Sequence, residues 1–206
     1  MRFRMHAAVV SFLLSLAVAA PVLAQTSAGS DSARAGTRHV SLGPAPRTGW
    51  MIGIGGGYGV GGPTIDNGPD QEAGQTLHFR SGLGVSPHAV LGFEFLSWSA
   101  SPSDTTTFDL EVAGPSLTWY WDSNLYVRGM VGWAMGEAEF EVGTGPTHTV
   151  TTLHDDGFAC LVAAGWEWRF RHRFALAPEV GYVRAGLAPR LSYTNAWGGL
   201  SLNLYY

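Results

Sequence analysis

Lysine is absent from this chain: all twelve basic residues are arginine, set against sixteen acids in 206 residues, for a formal net charge of −4. Charged residues make up 14%, against roughly one quarter in an ordinary soluble protein. Without a basic cluster, that balance argues against a nucleic-acid partner. The single cysteine, Cys160, excludes an internal disulfide framework and any cysteine-based zinc cluster. Beyond the N-terminus no apolar run reaches the about 20 residues that a membrane helix needs. Glycine is plentiful at 28 residues, about twice its usual share of ~7%. With 12% aromatics, the composition argues against disorder over most of the chain, and the length suits one domain with a tail.

Arg2 and Arg4 precede an apolar run, residues 7–20, broken only by Ser11 and Ser15. Pro21 then leads to Val22, Leu23 and Ala24 before Gln25. A basic start, a short apolar stretch and small residues at the cleavage point make a secretory signal over residues 1–24. Residues 25–48 are rich in Ser, Ala, Gly, Thr and Arg. They hold too little apolar surface to offset ordering entropy, which predicts a flexible periplasmic tail before a domain over 49–206.

From Trp50 onward the hydrophobic period is two, the period of a strand. Eight such segments are legible: 50–58, 77–85, 89–95, 113–121, 125–135, 158–170, 174–182 and 195–206. In each, one face is bulky and the other is Gly, Ala, Ser or Thr with charges. A soluble barrel such as a lipocalin would turn the bulky face inward. Here that face carries almost no charge over about nine to eleven residues, the length of a tilted membrane strand. The bulky face therefore meets lipid and the small polar face lines a narrow lumen. The fold class that follows is an all-β, eight-stranded antiparallel up-and-down transmembrane barrel, because a closed barrel is the sheet that satisfies its whole backbone in hydrocarbon.

Connection lengths point the same way. Residues 86–88, 122–124 and 171–173 are tight turns, whereas 61–75, 97–107, 142–156 and 185–191 are longer polar links. Short turns belong to the periplasmic end and long loops to the outer one. Trp119, Trp121, Trp166, Trp168, Phe170 and Phe174 gather near the short turns as an interfacial girdle. Asp109, Glu111, Glu137, Glu139 and Glu141 fall on the outward parity, which predicts a sheet projecting past the bilayer, or a bulge that flips the faces.

The chain resembles the small eight-stranded outer membrane barrels of the OmpA/OmpX type over residues 50–206. The resemblance rests on the Gly-rich first strand, Gly53 to Gly59, and on the ending Gly199-Leu200-Ser201-Leu202-Asn203-Leu204-Tyr205-Tyr206. Gly199, Leu202, Leu204 and Tyr206 look like the family's assembly signal, with Tyr where Phe is commoner and Trp197 where a polar residue is typical. The resemblance implies a monomer in the outer membrane, partnered by its lipid and lipopolysaccharide. It also implies barrel assembly machinery and periplasmic chaperones during biogenesis. A peptidoglycan-binding domain is not expected, and neither is a cofactor.

The charges of the inward face are Arg80, Glu94, Arg128, Glu167, Arg169 and Glu179. Unpaired charges in a narrow lumen are costly, so ion pairs are expected. Parity across the 86–88 turn sets Arg80 opposite Glu94, and Arg128, low on the fifth strand, lies at a height similar to Glu167 on the sixth. This network reads as a structural plug, with a gated small-ion path as its functional counterpart. Outer acids, including Asp66, Asp70, Glu72, Asp104, Asp155 and Asp156, follow no calcium-loop spacing. They read as a solvated rim without a metal site. The G-x-G-x-x-G match at 57–62 runs into Pro63 and Pro69 rather than a helix, so it is no dinucleotide site. A lipid A-modifying enzyme is the catalytic rival. Its His-x-Ser pair occurs only as His39-Val40-Ser41 in the tail, and His78 and Ser81 fall on opposite faces. His148 and His154 accompany Asp155 and Asp156 without a converging nucleophile, so no catalytic residue is assigned. His88 and His172 are solvated turn residues, and Cys160 is a small apolar residue on the lipid face. The reading is a non-catalytic barrel for envelope integrity or surface interaction. A narrow porin-like pore, a lipid A enzyme and a soluble lipocalin-like binder are the alternatives.

Overall fold

The computed structural model describes residues 47–206, apart from 66–67, 70, 104–105, 143–148, 171–172 and 189–190. The signal segment, the tail up to residue 46 and the His39/Ser41 pair lie outside the described residues. So do Asp66, Asp70, Asp104, His148 and His172.

Eight antiparallel strands follow one another around a closed barrel. They are β1 (Gly49–Ile65), β2 (Glu72–Ser86), β3 (Ala89–Ser103), β4 (Thr106–Tyr120), β5 (Leu125–Val142), β6 (Thr149–Trp166), β7 (Phe174–Ala188) and β8 (Leu191–Tyr205). β6 pauses at Glu167 and resumes as Trp168–Phe170 on the same partner. Each strand pairs with its neighbour in sequence. β8 returns to β1 in a ladder from Met51↔Tyr205 to Thr64↔Ser192, which leaves no open edge. A two-residue piece, Gly68–Pro69, doubles back on the end of β1.

The lower turns are tight for local reasons. Between β2 and β3, the His88 amide donates to Ser86 Oγ at 3.2 Å. Between β4 and β5, the Asn124 amide donates to the Trp121 carbonyl at 3.0 Å while Asn124 holds φ at 64°. Asn tolerates that left-handed conformation because its short polar side chain can bond locally.

The two faces exchange character part-way up the barrel. In the lower part, Leu83, Leu91, Phe93, Leu117, Val127, Val131, Val162 and Leu200 stand outward and exposed. Arg80, Glu94, Arg128, Glu179 and Asn203 point inward and are buried. In the upper part, Leu96, Trp98, Phe108, Leu110, Ala134, Ala138, Leu187 and Tyr193 fill the interior. There Ser97, Ser99, Asp109, Glu111, Glu137 and Glu139 occupy the alternate, outer positions of the same strands. The barrel is thus inverted below and built like a soluble barrel above. In water, each fully buried Leu of that upper core contributes about 1.5–3 kcal/mol.

This corrects two sequence expectations. The polar links at 61–75, 97–107, 142–156 and 185–191 are in large part strand. Leu96, Trp98, Phe108 and Leu110 continue the alternation with the apolar side turned in. The small polar face lines the lumen only in the lower part. The expected projecting sheet is present on every strand, and the outward acids are carried on it rather than on a bulge.

Candidate functional site

The lower lumen holds two carboxylate hubs. Glu167 sits at the mouth, where the chain pauses between β6 and its continuation, and its amide donates to the Asn124 carbonyl at 2.9 Å. Its carboxylate accepts from the hydroxyls of Tyr205 and, at 3.4 Å, Tyr120, and from Asn203 Nδ2 at 3.3 Å. Arg47 Nη2 and Arg169 Nε each approach its Oε1 at 3.4 Å. Further up, Glu179 on β7 accepts from Tyr126 Oη at 2.5 Å and Arg128 Nη1 at 3.1 Å, and pairs with His78 Nε2 at 2.9 Å. Arg128 Nε reaches Glu94 Oε2 at 3.1 Å, so this one arginine spans two acids with all three side chains buried. Tyr120 and Tyr126 lie 5.4 Å apart between the hubs.

Glycines on β1 make room for this network. A Cβ on Gly55 would stand 1.8 Å from His78 Nε2, so only glycine leaves His78 its seat beside Glu179. Trp197 packs edge-on against His78 at 5.2 Å, where the polar lower lumen meets the apolar filling.

The pairing differs from what the sequence suggests. Arg80 and Glu94 are cross-strand partners, as parity requires. The Arg80 guanidinium nevertheless donates to Ser201 Oγ at 3.0 Å and Asn203 Oδ1 at 2.9 Å, while Glu94 pairs with Arg128. Glu167 pairs with Arg47 and Arg169 rather than Arg128. Long side chains reach across a narrow lumen, so backbone register does not choose partners. Sequence reasoning left Arg47, Tyr120, Tyr126 and Tyr205 out of the site and weighed His78 only against Ser81. The signal was available in each case, because all lie on the inward parity. Odd positions of β1 face inward, and Arg47 continues that series two residues before the strand.

The outer surface carries two aromatic rings. Trp119, Trp121, Trp166, Trp168, Phe170 and Phe174 are 42–60% exposed beside the short turns. Phe170 and Phe174 are stacked at 6.5 Å, and Trp166 Nε1 donates to the Ser123 carbonyl at 2.9 Å. A second ring, not singled out from sequence, is formed by Tyr58, Trp133, Phe158 and Tyr182, with Trp133 and Phe158 edge to face at 5.3 Å. The apolar belt between the rings has no covering layer, as expected where the solvent is lipid. Leu202 and Leu204 stand outward on β8, Gly199 pairs with Gly57, and the Tyr206 amide donates to the Trp50 carbonyl at 2.8 Å. Cys160 is exposed on the same belt.

Solved structures share this architecture. Ail, the attachment invasion locus protein of Yersinia pestis, superposes with a TM-score of 0.56 at 13% identity, covering 76% of this chain and 99% of that one; it was solved in complex with the heparin analogue sucrose octasulfate. Neisserial surface protein A superposes with a TM-score of 0.57 at 11% identity, covering 77% and 98%. The fold is that of the small outer membrane barrels. The sequence matches no family model, and no curated protein matches it.

In outer membrane barrels the short-turn end is periplasmic, so the upper part, built like a soluble barrel, is the end that projects outward from the cell. There Asp109 and Glu137 are direct cross-strand partners, and Glu137 in turn faces His154. Inside, Tyr193 Oη donates to the Glu137 carbonyl at 3.3 Å. Burial, reinforced by Asp109, Asp155 and Glu137, pushes the Tyr193 phenol above its ordinary range.

Proposed function

We propose that this outer membrane barrel is a non-conducting, non-catalytic support that holds a rigid sheet platform above the membrane for surface interaction. The observation that carries the reading is the apolar filling of the upper lumen, where Trp98, Phe108, Leu110, Leu187 and Tyr193 are all 6% exposed or less. An ion crossing that layer would lose its water with nothing to replace it. The platform is also chemically two-sided. β4 to β6 carry Asp109, Glu111, Glu137, Glu139 and Asp156, while β1 to β3 carry the neutral Tyr58, Gln75, Ser97 and Ser99. The acidic side suits cationic partners, including the cations that bridge lipopolysaccharide phosphates. Against catalysis, His78 is sealed against Glu179 with Ser81 on the opposite face, and His154 and Asp155 alternate between the two faces of β6.

Two measurements test this. In planar bilayers the refolded protein is expected to give no unitary current steps. On whole cells, in a C160A background, S99C and T152C are expected to react with a membrane-impermeant maleimide, and A100C is not. Current steps, or equal labelling of A100C, would instead support the narrow pore.

A further inference from the structure

The periplasmic mouth contains a feature that anchoring a platform does not require. Arg47 precedes the first strand, yet its side chain is only 8% exposed. Its guanidinium lies over the Tyr120 ring at 3.9 Å from the centroid. Nη2 donates to Asn124 Oδ1 at 2.9 Å, and Nε and Nη2 both sit 3.4 Å from Glu167 Oε1. The backbone is seated as well. A Cβ on Gly84 of β2 would come 1.4 Å from the Arg47 carbonyl oxygen, so the chain lies directly across that glycine. An aromatic face, a carboxylate and an amide oxygen, contributed by β4, the β4–β5 turn and the β6 break, thus surround one planar cation. We propose that this mouth is a guanidinium-recognition site, and that its occupant is Arg47 of the same chain.

Three features argue for recognition rather than incidental packing. The flat, forked guanidinium stacks face-on while its edge donates in fixed directions, whereas the ammonium of lysine is a compact, strongly hydrated point charge with no planar face. Glu167 has a second cation at the same distance, Arg169, so its charge stays compensated when Arg47 leaves. The occupant can therefore exchange without stranding a buried carboxylate. Asn124 is held in its left-handed turn by the Trp121 carbonyl, and its own carbonyl accepts from the Glu167 amide, so the pocket wall is fixed by main-chain bonds independent of Arg47. The site fixes the chain at the mouth as it enters the barrel, and it excludes other guanidinium groups presented from the periplasm. This holds whether or not the lumen conducts.

The test uses the refolded barrel with tyrosine rings labelled for NMR. R47A is titrated with N-acetylarginine amide and, separately, N-acetyllysine amide, with retention of unboiled gel mobility as the check on folding. The arginine probe is expected to shift the Tyr120 ring at millimolar concentration, and the lysine probe to bind at least tenfold more weakly. Wild type is expected to respond to neither, and R47A/N124A to show a weakened Tyr120 response. A folded R47A that ignores both probes overturns the proposal. So does a wild-type barrel that titrates like R47A. Should R47A not fold, R47K keeps the charge without the fork. The arginine probe is then expected to displace Lys and produce the same shifts, and their absence from folded R47K overturns the proposal equally.

Discussion

Replacing Arg128 with methionine removes the cation that joins two buried acids. Glu179 keeps His78 at 2.9 Å and the Tyr126 hydroxyl at 2.5 Å. Glu94 keeps no cation within ion-pair distance among the described residues, because Arg80 is turned to Ser201 and Asn203. The loss therefore falls mainly on one stranded carboxylate at 0% exposure. Breaking a buried pair in this way costs about 3–5 kcal/mol. E94Q leaves Arg128 with Glu179 and an amide to face, so about 1–3 kcal/mol is expected. In R128M/E94Q the stranded charge is gone, and the double variant should be more stable than R128M alone. Urea titration in lipid vesicles, with the folded fraction scored by unboiled gel mobility, reads all three. A loss below about 1 kcal/mol for R128M, or strict additivity in the double variant, would show that Glu94 is neutralised by something other than Arg128.

Two further outcomes follow from named contacts. G55A forces His78 off Glu179 and should cost about 2–4 kcal/mol, whereas G129A, whose added Cβ meets nothing within 4 Å, should be nearly neutral in the same titration. The raised Tyr193 phenol stays protonated in the fold while the unfolded chain ionises near pH 10. Its contribution is thus intact below about pH 10 and declines above it, by up to about 1.4 kcal/mol per pH unit. Y193F should unfold with a correspondingly shallower alkaline dependence, and equal slopes for the two proteins would remove Tyr193 from the account.

Strand number, order and lower-face orientation were readable because Leu83, Leu91, Leu117 and Val127 are large, regularly spaced and matched by small inward neighbours. The upper part was harder to read, because the period persists while its meaning reverses. Between Phe95 and Trp98 the apolar member of each pair moves from the outer to the inner position. A run such as Ser97, Ser99 and Ser101 then resembles a loop, although every second residue is packed. Site membership was legible by parity, and Arg80, Glu94, Arg128 and Glu179 do share the lumen. Partner choice was not, since it depends on how far an arginine reaches across a barrel whose width no local spacing encodes. Arg47 was assigned to the tail because its neighbours are polar, which hid that it extends the inward parity of β1.

The reversal of faces also divides the thermodynamics of the molecule. Lipid tails are about as apolar as leucine, so the belt side chains are solvated by lipid rather than packed on one another. Leu96, Trp98, Phe108, Leu110 and Leu187 instead close on one another in the upper core. A side chain shortened there leaves a cavity, whereas in the belt lipid moves in to fill the space. Leu110 and Leu117, seven residues apart on β4, therefore answer differently to the same truncation, the first buried among protein and the second standing in lipid.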